Sequence, residues 1–183
     1  MAAVLGLPAD KVLACCAAVQ ATFGPDAAEV VEVANFNDPG QTVISGSKLA
    51  VERACEALKA EGARRAMLLP VSAPFHCSLM QHAASVMAEA LAGVVIHAPS
   101  VPVVVNVRAE AVTEPDRIRA LLVAQVTGSV RWRESVLWMQ GAGVTEYWEI
   151  GAGKALSGMI KRTAAGAVTR AVGTPEDVLA AKG

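Results

Sequence analysis

The sequence predicts the α/β fold class. Over residues 1–70, apolar and mixed segments follow one another in the order β-α-β-β-α-β, which is the split βαβ or ferredoxin-like pattern. From Pro70 onward, short apolar runs alternate with helical segments, as in proteins with a parallel sheet. We therefore predict a ferredoxin-like α+β subdomain over residues 1–70, followed by part of a larger α/β subdomain over residues 71–183.

Turn and capping residues set the bounds of the first six elements. Asn37-Asp38-Pro39-Gly40 is a turn signal, because Pro presets φ and Gly accepts a positive φ. Ser47 is placed to cap a helix that ends at Gly62. Val and Glu alternate between residues 29 and 35, as in a half-buried strand. The predicted strands are Ala2–Leu7, Glu29–Asn35, Thr42–Ser45 and Arg64–Leu69, and the predicted helices are Ala9–Thr22 and Lys48–Gly62.

The second part alternates less regularly. The run Val101–Val107 predicts a buried parallel strand, since such strands are apolar on both faces. Thr174-Pro175-Glu176-Asp177 has the cap residue, proline and acidic first turn that begin a helix. The other predicted elements are the strands Gly143–Ile150 and Ala167–Val172, the helices Leu79–Leu91, Pro115–Val126 and Trp132–Gln140, and a helix that runs from the Gly151-Ala152-Gly153-Lys154 turn to Arg162.

The composition excludes several classes of function. The chain has 183 residues, with 16 Lys+Arg against 17 Asp+Glu, so it is not a generally basic nucleic-acid binder. Aromatic residues make up 4%, too few for a base-stacking surface. Every apolar run is interrupted before the roughly 20 residues that cross a bilayer, so we expect no membrane span. Four cysteines without a Cys-x-x-Cys pair indicate a reduced, cytoplasmic protein. We expect no metal and no cofactor, because no cluster has metal-ligand spacing.

His76 is the first candidate for chemistry. It lies in a loop stiffened by Pro70 and Pro74, just before a predicted helix, and catalytic groups favour such loops. A neutral imidazole there could act as a general base toward a hydroxyl. The alternative, which spacing alone favours, is that His76 only caps or packs against the helix. Cys77 is an unfavoured partner, because adjacent side chains usually diverge.

Three further features have two interpretations each. The Gly151-Ala152-Gly153-Lys154 turn could present N–H groups to a phosphate, but it fails both the P-loop and the dinucleotide patterns, which favours a tight strand-to-helix turn. Arg64 and Arg65 could attract an acidic partner or a coenzyme A phosphate, or form a solvated strand end. Asn35 and Asn37 most simply serve the hairpin. The 183 residues contain no G-x-S-x-G nucleophile elbow.

Several stretches, taken in order along the chain, resemble motifs of one enzyme family. They are Asn35-Phe36-Asn37-Asp38-Pro39-Gly40-Gln41, Val43-Ile44-Ser45-Gly46, Ala50-Val51-Glu52-Arg53-Ala54, Gly62-Ala63-Arg64-Arg65-Ala66, Leu69-Pro70-Val71-Ser72-Ala73-Pro74-Phe75-His76-Cys77-Ser78-Leu79-Met80, Ala98-Pro99-Ser100-Val101-Pro102-Val103, Gln125 with Val130-Arg131-Trp132, and Glu149-Ile150-Gly151-Ala152-Gly153-Lys154-Ala155-Leu156-Ser157-Gly158. The ordered set is similar to the C-terminal part of malonyl-CoA:acyl carrier protein transacylases.

The resemblance implies a fold and a reaction. The fold is a ferredoxin-like subdomain inserted in an α/β-hydrolase-like subdomain, of which these residues are the C-terminal part. The reaction is a ping-pong transfer of malonyl from malonyl-CoA to the phosphopantetheine thiol of acyl carrier protein, through an acyl-serine, in fatty-acid synthesis. His76 matches the general base and acid. Gln125 matches the residue whose backbone carbonyl orients that imidazole.

The resemblance also assigns binding residues. Phe75 matches a bulky residue that narrows the acyl pocket, and Arg64 and Arg65 match basic residues that meet the carrier protein. Asn35 and Asn37 match positions near the cleft. The family's nucleophilic serine is not among these residues, so we expect the chain alone to form no acyl-enzyme and to self-associate through exposed strand edges. The alternative is a non-catalytic module that binds acyl carrier protein or coenzyme A.

Overall fold

The computed structural model describes residues 1–24 and 27–182, which form an α/β structure with two antiparallel sheets and one parallel pair of strands. The strands are β1 (Ala2–Leu5), β2 (Val31–Asp38), β3 (Gln41–Gly46), β4 (Arg65–Leu68), β5 (Val103–Val105), β6 (Glu110–Val112), β7 (Glu146–Ile150) and β8 (Val168–Val172). The α-helices are α1 (Ala9–Ala21), α2 (Lys48–Ala60), α3 (Gln81–Ala92), α4 (Pro115–Thr127), α5 (Trp132–Gly141), α6 (Ala155–Thr163) and α7 (Pro175–Lys182). Within these described ranges, no helix is long and apolar enough to cross a bilayer.

The first four strands form one antiparallel sheet in the order β2-β3-β1-β4. A two-residue turn at Pro39 and Gly40 joins β2 to β3, as the turn signal predicts. Helices α1 and α2 bury their apolar sides in a core shared with the strands, in which Val4, Ile44 and Leu58 are fully inaccessible. The predicted order of these six elements is confirmed.

The predicted cap of α2 is wrong in its chemistry. Ser47 does occupy the N-cap position, but its hydroxyl makes no capping hydrogen bond. Instead, Ser47 Oγ donates to the carboxylate of Glu29 and accepts from the backbone N–H of Val30, with a nitrogen–oxygen distance of 3.2 Å. The hydroxyl therefore links the segment just before β2 to the residue that follows β3.

The later elements form two smaller sheets. Strands β7 and β8 pair in parallel, as predicted, and α5 and α6 pack on them around a core of Val136, Tyr147 and Ile160. At the start of α7, the Asp177 carboxylate accepts the N–H of Thr174, and the Thr174 hydroxyl accepts the N–H of Asp177, at 3.0 and 3.2 Å. This reciprocal cap confirms the predicted helix start.

The predicted buried parallel strand at Val101–Val107 is wrong. Only Val103–Val105 is extended, and it pairs antiparallel with β6 in a short hairpin. The turn between them reverses the chain within four residues and puts Ala109 at φ 55°. Val101 is 68% exposed and Val103 is 42% exposed, so consecutive valines here do not indicate two covered faces.

Strand β2 links the two parts of the chain. Val130 donates its N–H to the carbonyl of Ala34 at 2.8 Å, and Phe36 donates to the carbonyl of Val130 at 2.9 Å. Ser129 Oγ also donates to the carbonyl of Val33 at 2.6 Å. The segment after α4 is therefore held on the free edge of β2. These contacts fix the end of α4 relative to the four-stranded sheet.

The buried thiol of Cys16 makes stability depend on alkaline pH. Burial, reinforced by the nearby thiols of Cys15 and Cys55, raises the pKa of Cys16 from 9.0 to about 12. Between these values the unfolded chain has lost the proton that the folded chain keeps. The free energy of unfolding should therefore fall as the pH rises above about 9. Urea unfolding under reducing conditions at about pH 8 and about pH 10.5 should show this fall, and Cys16→Ala should reduce it. An equal fall in both proteins would contradict the assignment to Cys16.

Candidate active site

His76 lies in a strained loop between β4 and α3. Its φ is 59°, in the left-handed region that few residues other than glycine adopt. Such a conformation costs about 1–3 kcal/mol and persists only where the surroundings impose it. On one side, the thiol of Cys77 donates to the carbonyl of Pro74 at 3.1 Å and closes the loop. His76 is half-buried, so its ring is both held and accessible.

The imidazole of His76 is oriented by a backbone carbonyl. His76 Nδ1 lies 2.9 Å from the backbone oxygen of Gln125. This carbonyl is in the last turn of α4, where carbonyls have no partner within the helix. A carbonyl only accepts, so Nδ1 carries the hydrogen and Nε2 keeps a free lone pair. The geometry thus presents Nε2 as a base.

Glu32, on β2, holds the other side of the loop. One carboxylate oxygen accepts the N–H of Ser78 at 3.0 Å, and the other accepts its hydroxyl at 2.6 Å. Ser78 begins a short 3₁₀ turn that leads into α3. Glu32 could not be identified from the sequence, because 46 positions separate it from Ser78 and no local pattern joins them. Its only signal is an acidic residue on a half-buried strand.

Cys77 does not have the character of a nucleophile. Its side chain is fully inaccessible, and burial raises the pKa of its thiol above the ordinary value. Reactive thiols need the opposite: a lowered pKa and access to the reagent. The thiol instead serves the loop through its contact with Pro74.

The known proteins that match this chain carry closely related names. No protein-family model matches the chain. The malonyl CoA-acyl carrier protein transacylase of Escherichia coli K12 is 44% identical over 181 residues, covering 99% of this chain and 57% of that protein. The crystal structure of the acyl-carrier-protein S-malonyltransferase from Burkholderia pseudomallei matches with a TM-score of 0.91 at 44% identity, covering 98% of this chain and 57% of that one. The chain is similar over nearly its whole length to malonyl-CoA:acyl carrier protein transacylases.

The match to the transacylases is partial in length. The chain spans 57% of the Escherichia coli relative. A further structure, a malonyl-transacylase in complex with a type II PKS acyl-carrier protein, has a TM-score of 0.91 and 38% identity, over 98% of this chain and 56% of that one. Both comparisons cover nearly all of this chain.

The structure does not gather all the residues that the transacylase resemblance assigns. Phe75, next to His76, is 45% exposed. Asn35 lies on β2 and forms a parallel bridge with Val130, so it flanks the segment that follows Gln125. Asn37 is buried near the end of β2, at an irregularity in the pairing with β3.

Arg64 and Arg65 lie away from His76. Both are exposed, and Arg65 pairs with Leu5 at the sheet end that carries the Pro39–Gly40 turn. The His76 loop follows the other end of β4, where Leu68 pairs with Ala2. The two arginines and the His76 loop therefore lie at opposite ends of β4.

The Gly151-Ala152-Gly153-Lys154 turn does not present a free anion site. The carboxylate of Glu149 accepts the N–H groups of Leu156 and Ser157, at 3.0 and 2.7 Å, at the start of α6. A carboxylate from the same chain thus occupies the helix N-terminus. This arrangement agrees with the favoured interpretation of the motif as a tight turn.

Proposed function

We propose that this chain takes part in the transfer of a malonyl group from malonyl-CoA to the phosphopantetheine thiol of acyl carrier protein, in the cytoplasm. His76 is the general base and acid of both half-reactions. The observation that carries the proposal is the 2.9 Å contact from His76 Nδ1 to the Gln125 carbonyl, which leaves Nε2 free. The similarity to the transacylases supports the class of substrate.

The proposed steps use one proton on Nε2. His76 Nε2 takes the proton of a serine hydroxyl as that oxygen attacks the malonyl thioester, and the thiol of coenzyme A leaves with a proton returned by the imidazolium. In the second half-reaction, Nε2 takes the proton of the carrier-protein thiol and returns one to the serine oxygen. The Gln125 carbonyl keeps Nδ1–H in place throughout and favours the imidazolium.

The other assignments in the proposal concern binding and organisation. Phe75 narrows the acyl pocket, Asn35 and Asn37 border the cleft, and Arg64 and Arg65 meet the acidic carrier protein. Residues 1–70 form a ferredoxin-like subdomain. The strand order β2-β3-β1-β4 supports this assignment. Residues 71–183 belong to an α/β-hydrolase-like subdomain, supported by the parallel β7–β8 pair.

Two mass measurements test the function. Incubated with malonyl-CoA, the chain alone should show no covalent malonyl adduct, because the sequence has no G-x-S-x-G motif and Cys77 is buried. We then define the chimera as the Escherichia coli relative in which this chain replaces the matched 181-residue segment. The chimera should load malonyl onto holo-acyl carrier protein, which is read as an intact-mass increase of the carrier.

The outcomes separate the two candidate functions. A folded chimera that transfers no malonyl would contradict the proposed activity. If the chain nevertheless bound holo-acyl carrier protein, the non-catalytic module would be the better description. A malonyl adduct on the chain alone would show that one of its own residues is a nucleophile and would overturn the serine route.

A further inference from the structure

We propose that Glu32 is a positioning residue that holds the His76 loop in its strained conformation and thereby selects the Nδ1–H tautomer of the imidazole. The inference rests on the proposed role of His76 as the base. It adds a residue that does not touch the reacting atoms and that lies 44 positions before His76 in the sequence.

The contact is specific to a carboxylate. Both oxygens of Glu32 are used, one by the N–H of Ser78 and one by its hydroxyl, at 3.0 and 2.6 Å. Hydrogen bonds to an ionised acceptor are roughly twice as strong as neutral ones. The carboxylate also lies at the N-terminal end of the 3₁₀ turn and α3, where negative charge is favoured. A glutamine could accept through one oxygen only.

The His76 loop needs stabilising contacts around His76 to keep its left-handed backbone conformation. A left-handed φ at a residue with a full side chain relaxes unless its neighbours prevent it. The Cys77 thiol, bonded to Pro74, holds the turn itself. Glu32 holds Ser78, two positions after His76, and so prevents the chain from unwinding toward α3. The only side-chain carboxylate bonded to residues 70–80, among the residues that the structure describes, is that of Glu32.

The same strand also fixes the acceptor of the imidazole. Ala34, two positions after Glu32 on β2, accepts the N–H of Val130, and Val33 accepts the hydroxyl of Ser129. These contacts hold the chain just after α4, and the Gln125 carbonyl lies in the last turn of that helix. Three consecutive residues of β2 therefore set the positions of both the imidazole and the carbonyl. The distance between them therefore depends on this strand as well as on the packing of α3 against α4.

The experiment is nitrogen NMR of the histidine side chains in the full 183-residue chain. The neutral His76 ring should be in the Nδ1–H form in the unaltered chain. In Glu32→Gln, this form should lose at least half of its population to the Nε2–H form, and Ser78→Ala, which removes only the hydroxyl bond, should change it in the same direction by less. His82 and His97 are internal references whose signals should not move.

A matched control is present on the same part of the chain. Glu29 binds the hydroxyl of Ser47 just before β2, so Glu29→Gln breaks a contact of the same kind that involves no residue of the loop. It should leave the His76 tautomer unchanged. An unchanged Nδ1–H population in both Glu32→Gln and Ser78→Ala would overturn the proposal, and so would an equal shift in Glu29→Gln. If Glu32→Gln does not fold, Ser78→Ala alone decides.

The readout separates this inference from the proposed function. The tautomer is measured without substrate, so an inactive chimera would contradict malonyl transfer and leave the tautomer result standing. Conversely, if the chimera is active but Glu32→Gln leaves the His76 tautomer population unchanged, only the positioning role is overturned. Where both hold, Glu32→Gln in the chimera should lower kcat by about 10-fold to 100-fold with KM for malonyl-CoA unchanged.

Discussion

Replacing His76 by asparagine should lower malonyl transfer by the chimera about 10²–10⁴-fold, the usual contribution of a positioned general base. Asparagine is the appropriate replacement because it tolerates the left-handed backbone, with φ 59°, better than alanine does. The variant therefore removes the lone pair of Nε2 and keeps the loop. In the proposed mechanism both half-reactions use this imidazole, so loading from malonyl-CoA and release to the carrier protein should slow together.

The measurement compares single-turnover loading and transfer in the chimera and in two variants. His82→Asn is the matched control, because His82 is an exposed residue of α3 only six positions away and should leave both rates unchanged. Circular dichroism and the urea midpoint should agree between all three proteins. Transfer by His76→Asn within a few-fold of the chimera would show that another group is the base.

The second large effect concerns Gly46, at the end of β3. A Cβ built there lies 1.9 Å from the carbonyl oxygen of Val30 and 2.7 Å from its carbonyl carbon, and φ is 155°. Both neighbours are backbone atoms, so no side chain can move aside. Gly46→Ala should lower the free energy of unfolding by more than about 4 kcal/mol, which is exceptional for a single substitution. It should also separate the ends of β2 and β3, next to Glu32.

Gly62 supplies the control for backbone strain alone. Its φ is 96°, but a Cβ there meets no atom within 4 Å. Gly62→Ala should therefore lower the free energy of unfolding by only about 1–2 kcal/mol, from the left-handed backbone. Urea unfolding of the chain and the two variants measures the difference. If Gly46→Ala were no less stable than Gly62→Ala, the ends of β2 and β3 could separate without a loss of folding free energy, which would contradict the prediction.

Local signals were sufficient for most elements. The Pro39–Gly40 turn, the Thr174 cap and the presence of α1 and α2 depend on residues close in sequence, and all are confirmed. The run at Val101–Val107 misled because burial on two faces depends on neighbouring strands, which a run of valines cannot report. Ser47 has the residue type of a cap, but Glu29 is the stronger partner for its hydroxyl.

In the candidate site, too, features that depend on nearby residues could be predicted and contacts between distant residues could not. The His76 loop could be predicted from its prolines and from the resemblance, whereas the pairing of the imidazole with the carbonyl of Gln125 could be predicted from the resemblance alone. Glu32 could not, because its only link to the loop is a contact across 46 positions. The strained φ of His76 was also beyond prediction, since histidine has no strong preference for that region and the surroundings impose it.

The pairing of β2 with the segment after α4 has a consequence for the order in which the molecule assembles. Ser129 and Val33 are 96 positions apart, and the ion pair between Arg162 and Asp38 spans 124. Contacts this distant form only after the entropy of closing a long loop has been overcome. The imidazole and its carbonyl therefore meet as a result of global folding and not of local helix formation. Base competence and the native topology should appear in the same kinetic phase, so a refolding assay that follows one also follows the other.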